Sequence, residues 1–443
     1  MNNTKKICSV CRFESTAEEL FSTAGFLRKT YCLSCKPSDR FRVEQRMVYQ
    51  ALCYFGLGLL ILITPNTKHI GWLVINLGLL IFLWGPCTIL HEAGHVITGR
   101  LAGCRVFGAV MGTGKVIFTI EFSGMKFDFG RYLHGGGLTY LVHVNEKPSR
   151  WAEVFFTLGG CLANLTAAGA VLMFVPYHDL ARFAVMPTYK FAIAPAFVAV
   201  NLLQCIISLY PHWTKIGGRN YQSDGAIIIE TLRDKDFVRN RLIGRYILEG
   251  FWHAKNGKLD QAKACYQEGY RKFNDSFYLA CLVHNNLVHS KDYAAARKFY
   301  QSLNMTADYL AKQDPMMVAW IWNDVAWTNL MLGGSELLNE ADEFSAKALG
   351  RLLDEAAVKG TRGSVLIEQG EIEQGIELLL QSIASSDLRP NQALNACLIA
   401  VGKAQQGNSK LAQEYFRFAR HLDPACELLK KSEERIQSHA TEA

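Results

Sequence analysis

Hydrophobic and polar positions divide the chain unevenly. Four long apolar runs, at 48–64, 70–97, 152–175 and 191–210, fall within the first 230 residues. Each is near or above the roughly 17 residues that carry a helix across a bilayer's hydrocarbon core. One such run alone also fits a buried helix of a soluble protein, but four in succession predict a bundle of membrane-spanning helices. Between the second and third runs, "KVIFTIEFSGMKFDFGRYLHGGGLTYLVHVN" alternates β-prone runs with glycine-bearing turns and predicts two or three short strands. From about Arg245 the pattern changes to that of soluble amphipathic helices.

Charge orients these runs. Lys36, Arg40, Arg42 and Arg46 precede the first, and Arg100, Arg105, Lys126, Arg131, Lys147 and Arg150 lie among the cations between the second and third. The other connections carry Lys68 alone, or Arg182 and Lys190 with Asp179. The positive-inside rule then places both termini and the long central loop in the cytoplasm. The formal net charge of +7 is mostly this topology signal, so nucleic acid is not expected as a partner. The first 47 residues are polar and hold no apolar run of signal-peptide length, so the first run reads as an internal anchor.

Four of the 13 cysteines form one pattern: Cys8, Cys11, Cys32 and Cys35, spaced C-x2-C-x20-C-x2-C. Each close pair supplies two adjacent corners of a tetrahedron, as a structural zinc site requires, although a redox dithiol or unrelated cysteines share the composition. A forty-residue segment builds little core of its own, so a metal staple is what would let it fold. The segment resembles a zinc ribbon. The remaining cysteines are scattered, which is no disulfide framework and suits a reducing compartment.

The second apolar run ends in His91-Glu92-Ala93-Gly94-His95, an H-E-x-x-H motif. Residues four apart share a helix face, so His91 and His95 can present imidazoles to one zinc ion, with Glu92 as general base toward a water that the zinc activates. The alternative, a buried histidine pair without metal, leaves a costly glutamate at membrane depth unexplained. A catalytic zinc normally has three protein ligands. Asp224, followed by Gly225 shortly beyond the fourth run, is the candidate third, although Asp-Gly also forms metal-free turns.

These motifs together resemble the site-2 protease family of intramembrane zinc metalloproteases (M50-type) over about residues 48–230. The resemblance implies zinc held by His91, His95 and Asp224, with Glu92 as the catalytic base. The family commonly has Asn-x-x-Pro before Asp-Gly, where this chain has Ser208-Leu209-Tyr210-Pro211. Its Gly-Pro-x-x-Asn-like motif corresponds loosely to 160–164, with Cys161 in place of proline. Asn164 and Asn201 are candidates for oxyanion or substrate contacts. The strands have a use in such a protein, because a membrane substrate must unwind before attack and a sheet edge can hold the unwound segment. The Gly135-Gly136-Gly137 run also reads as a flexible turn.

In the last part of the chain, Ala262 and Ala296 are 34 residues apart, as are Tyr266 and Tyr300, and as are Ala341 and Gly375. Ala412 and Phe416 repeat the small and large positions, with intervals of 45 and 37 residues elsewhere. This period resembles degenerate tetratricopeptide repeats, helix pairs that stack because none buries its apolar face alone. Such an array binds peptides or proteins on its concave face, or serves as a packing scaffold.

The expectation is a mostly α protein in three parts: a zinc-ribbon-like module at 1–40, a four-span membrane metalloprotease domain at 41–235 with a β insertion at about 105–147, and a helical repeat domain at 236–443. Its expected activity is hydrolysis of a peptide bond in or near a transmembrane segment of a client, using one catalytic and one structural zinc ion. The alternative is a catalytically silent membrane adaptor or chaperone acting through the repeats. Expected partners are a transmembrane protein substrate, a protein or adaptor on the repeats, and the lipid bilayer. The four-run layout suits a bacterial cytoplasmic membrane.

Overall fold

A computed structural model of the chain describes every residue except 1–4, 25–28, 36–41, 177, 180–189, 217–218, 304, 387 and 443. The chain forms two compact units, one from 1–38 together with 259–443 and the other from 39–258.

The first unit begins with two small antiparallel hairpins, β1 (Lys6–Ile7) with β2 (Glu14–Ser15), and β3 (Phe21–Ala24) with β4 (Lys29–Cys32). They carry the four cysteines at their ends, as expected of a ribbon whose turns hold metal.

The second unit contains the apolar runs, all helical. They are α1 (Arg42–Leu62), α2 (Lys68–Leu101), the consecutive α3 (Arg150–Thr157) and α4 (Gly159–Leu172), and α5 (Ile193–Leu209). By length and composition α2 can cross a membrane, as can α3 with α4 taken as one segment bent by 42°. The apolar part of α1, Tyr49–Leu62, and the 17-residue α5 are shorter. The bend has a packing cause. Here α4 crosses α2 so closely that a methyl group on Gly94 would lie 2.2 Å from the carbonyl oxygen of Gly159.

Two 19-residue strands, β5 (Cys104–Phe122) and β6 (Met125–His143), replace the two or three short strands expected. They double back on each other, so that 104–111 lies between 137–143 and 126–129, with 118–122 outside the latter. Alternation reports that a segment is extended, and the long-range register that folds this hairpin over itself has no local signature. A short hairpin, β7 (Trp213–Ile216) and β8 (Arg219–Gln222), leads into α6 (Asp224–Arg233) and α7 (Phe237–Lys255). The sheet is covered by α7: Trp252 stacks on Phe107 with ring centroids 5.5 Å apart, and Lys255 Nζ lies 2.8 Å from the buried carboxylate of Asp128. Burial alone would raise the Asp128 carboxyl, but hydrogen bonds from Lys255 and Thr119 hold it below the ordinary carboxylate range.

The first unit resumes with α8 (Leu259–Lys272), α9 (Phe277–His289), α10 (Tyr293–Ser302) and the one-turn α11 (Ala307–Leu310). Three further antiparallel pairs follow: α12 (Pro315–Leu332) with α13 (Ser335–Arg351), α14 (Ala356–Gln369) with α15 (Ile372–Ser385), and α16 (Arg389–Gln405) with α17 (Ser409–Leu422). A last helix, α18 (Leu429–Glu442), ends the array. The spaced small residues explain the stacking: Ala262, Ala296, Ala341 and Ala412 are fully buried where helices press together. The amino-terminal hairpins share one apolar core with the last pair, in which Cys8, Phe13, Leu20 and Cys32 join Ala393, Cys397, Tyr415 and Phe418.

Candidate metal centres

The H-E-x-x-H motif lies in the last third of α2, five residues after Pro86. Helical spacing sets the rings of His91 and His95 with centroids 4.8 Å apart. Asp224 comes from 129 residues further along, at the first turn of α6, where Ser223 caps the helix by accepting a hydrogen bond from the Ala226 N–H. Asp224 Oδ2 lies 3.1 Å from His91 Nε2 and 3.5 Å from His95 Nε2. Donor atoms of the three side chains all fall within 4.8 Å of one another.

This donor set fits a zinc ion. His95 Nδ1 is 2.9 Å from the carbonyl oxygen of Phe156, and donation to that oxygen leaves the Nε2 lone pair facing His91 and Asp224. Burial alone would raise the Asp224 carboxyl, but when the two histidines are protonated instead of ligating a metal, their hydrogen bonds and charge bring it below the ordinary carboxylate range. An ionised carboxylate beside two imidazole nitrogens is the mixed oxygen and nitrogen set that zinc accepts.

Glu92 is 5% exposed, so its carboxylate needs fixed partners. One is Thr139 on β6, whose Oγ1 donates to Glu92 Oε2 at 2.8 Å. Gly137, two residues earlier, lies so close that an added methyl would sit 2.4 Å from Glu92 Cγ and 2.5 Å from Oε1. Gly160 is its counterpart on α4, where a methyl would sit 2.4 Å from His91 Nε2. Thr139 does not stand out in the sequence, and Gly160 does only as the first residue of the loose family match at 160–164. Gly137 does, but as part of a run that also reads as a flexible turn.

The two asparagines are placed differently. Asn164 joins the site: its Nδ2 lies 3.4 Å from His91 Nδ1 and 3.3 Å from Gln204 Oε1, and its Oδ1 is buried without a hydrogen bond. Gln204 Nε2 donates to Trp84 O and Thr88 Oγ1, at 2.9 and 3.0 Å, and so ties that asparagine to α2. Asn201 instead donates to Cys87 Sγ at 3.2 Å and to Phe197 O at 2.8 Å, one helical turn or more from the histidines. Ser208, where the family pattern has asparagine, donates to Asp224 Oδ2.

The profile of Peptidase family M50 matches residues 79–384, more than half of the 443-residue chain. The chain belongs to peptidase family M50. M50 peptidases are zinc-dependent metalloproteases of the site-2 protease type. No curated protein matches the chain. Solved structures similar to its carboxyl-terminal part include two TPR proteins. A thermophilic TPR protein of Thermus thermophilus is 14% identical with a TM-score of 0.33, covering 45% of this chain and 99% of that one. YrrB, a TPR protein with an unusual peptide-binding site, is 15% identical with a TM-score of 0.29, covering 43% of this chain and 90% of that one.

This M50 protein has a second cluster, of Cys8, Cys11, Cys32 and Cys35, whose sulfurs also lie within 4.8 Å of one another. Burial and repulsion from the Cys11 and Cys35 sulfurs push the Cys32 thiol well above its ordinary range. Four sulfurs this close cannot ionise together unless a cation lies among them, which is the chemistry of a structural zinc site.

Proposed function

We propose that the protein is an intramembrane zinc metalloendopeptidase that hydrolyses a peptide bond in or near a transmembrane segment of a client protein. The observation that carries this reading is the convergence of His91, His95 and Asp224 beside a buried, doubly positioned Glu92. In this reading His91, His95 and Asp224 hold the catalytic zinc, and Cys8, Cys11, Cys32 and Cys35 hold a structural one. When bound, the catalytic ion supplies Lewis acidity that polarises the scissile carbonyl and brings the pKa of water toward neutrality. Glu92 takes the proton that water loses as its oxygen adds to the carbonyl carbon. The same carboxyl then delivers that proton to the nitrogen as the C–N bond breaks. Thr139 and the Gly137 backbone keep the Glu92 carboxylate in one rotamer for both transfers. Asn164, with its orphaned Oδ1, is the polar contact for substrate backbone that unwinding exposes, and Asn201 supports α5 one turn away.

We place the second unit in the bilayer, with four spans and both termini cytoplasmic, as in a bacterial cytoplasmic membrane. Large apolar side chains support this: Leu59, Leu60, Phe82, Ile97, Met173 and Ile206 are each more than half exposed. Such surfaces are covered by lipid rather than by water. An outer strand at 116–122, with Ile117 and Phe122 exposed, offers an edge to an unwound substrate. The repeats would recruit the client or an adaptor. A silent adaptor is the weaker reading, because Ser208, one of the two departures that favour it, keeps a hydrogen bond to Asp224.

The test compares wild type with Glu92→Gln in cells, mapping new amino termini among membrane proteins, and measures zinc per purified chain. Cleaved transmembrane fragments present only with wild type, at equal zinc content, are expected. The same fragments in both strains would remove Glu92 from catalysis.

A further inference from the structure

The inner side of the repeat array can be identified from its packing. Successive first helices α9, α12, α14 and α16 touch in series, whereas no comparable contact joins successive second helices among the described residues. In a curved stack the crowded row is the inner one. A terminal helix that only caps such a stack needs the last pair, and α18 does pack on α16 and α17.

The segment 427–436 reaches much further back. Glu427 accepts hydrogen bonds from Tyr293 Oη at 3.1 and 3.2 Å and lies 3.5 Å from Lys291 Nζ, both near the start of α10. Leu428 is buried, and with Ser432 it closes a small hollow against Trp327 and Met331 of α12 and Leu398 of α16. Arg435 pairs with Glu368 of α14, and Ile436 is 2% exposed. Leu428, Ser432 and Arg435 recur at helical spacing, so one face of the segment makes these contacts. The two ion pairs have opposite polarity, Glu427 toward a lysine and Arg435 toward a glutamate. Reversing the segment would set like charges together, so the surface reads direction as well as apolarity.

We infer that 427–436 is a resident ligand of the array's inner face, and that the face accepts in its place a helical peptide of a partner protein. That peptide presents a carboxylate, an adjacent apolar side chain and, about two turns on, a guanidinium. Until such a partner competes, the chain's own carboxyl-terminal segment keeps the surface closed. This inference does not depend on the chemistry at the membrane site.

The experiment uses the full chain in detergent and a fluorescein-labelled peptide copying residues 424–442, read by anisotropy. Wild type should bind it at least tenfold more weakly than the variant Leu428→Asp/Arg435→Glu, whose own segment is detached. A peptide with the arginine at 435 replaced by glutamate should bind that variant at least tenfold more weakly than the native peptide. Adding Glu368→Arg to the array should reverse the preference. That reversal distinguishes docking from unfolding, because a disordered array prefers neither peptide. Equal binding by wild type and the detached variant, or no binding by a variant with wild-type circular dichroism, would overturn the inference. So would anisotropy that rises only in step with dimer formation, which would assign the surface to a second copy of the chain.

Discussion

Two glycines touch separable halves of the proposed zinc site. A methyl at position 137 would meet the Glu92 carboxylate, and a methyl at 160 would meet the nitrogen of His91 that faces Asp224. Gly137→Ala should therefore displace the base and spare the ligands. Gly160→Ala should displace a ligand. A shift of about 1 Å in a catalytic group costs on the order of 10²-fold in rate, so Gly137→Ala should lose about that much turnover with membrane-site zinc intact. Gly160→Ala should lose the zinc itself. Metal analysis alongside single-turnover cleavage of a client checks both, and a Gly137→Ala chain that sheds its zinc would show that the two halves are not separable. That His91 and His95 share a helix face, and that each close cysteine pair lies together, was legible because helix periodicity and short turns fix such relations within a few residues. Gly137, Thr139 and Gly160 touch the motif from 45 to 69 residues away in sequence, and contact across such distances has no periodic mark.

At the scale of elements, the eight-residue α3 holds the site from two sides. Its carbonyl at Phe156 fixes the His95 ring, and the Arg150 side chain reaches the other end of α6 from Asp224. Arg150 donates to Leu232 O at 3.0 Å, to Thr231 O at 3.5 Å and to Asp234 O, where carbonyls left over at a helix end attract a cation. In the proposed reading Arg150 is thus a positioning residue for Asp224. Arg150→Ala should weaken zinc binding at the membrane site by about 10 to 100-fold, the usual cost of losing outer support for a ligand, and leave the ribbon's zinc unchanged. Arg150→Lys should restore it only in part, because one ammonium cannot fork across three carbonyls. Competition with a graded series of chelators gives the affinities, and an Arg150→Ala curve superimposed on wild type would sink the assignment. Hydropathy exposed the helices of this unit without exposing their breaks. The run 152–175 reads as one largely apolar segment, yet it bends at 158, where α2 and α4 meet backbone to backbone.

Across the whole molecule, both ends of the chain build one unit while the middle builds the other. The ribbon-like module also packs against the last helix pair. Phe13 is 6% exposed, with its ring centroid 5.0 Å from that of Phe418 and 5.1 Å from that of His421. Around this apolar centre, Ser15 Oγ donates to Glu414 Oε2 at 2.6 Å, Ser34 Oγ to Gln392 Oε1 at 2.6 Å, and Arg417 to Glu14 O at 2.9 Å. Spacing along the sequence could reveal the ribbon and the repeats separately, but the fit between them depends on two surfaces about 400 residues apart, which no local pattern records. Because Cys8 and Cys32 lie in the same core as Phe418, zinc bound at the proposed ribbon site should be linked to order in the last repeat. Truncating a buried phenylalanine costs about 3–5 kcal/mol, so Phe13→Ala should reduce hydrogen-exchange protection of α17 by more than tenfold. Cys8→Ser should do the same by removing a ligand, and zinc added in excess should rescue neither variant fully. Amides of α2, in the other unit, should keep their protection in both. If α17 exchanges as in wild type when the ribbon has lost its metal, the ribbon is an independent module, and a shared apolar core does not make the two ends one cooperative structure.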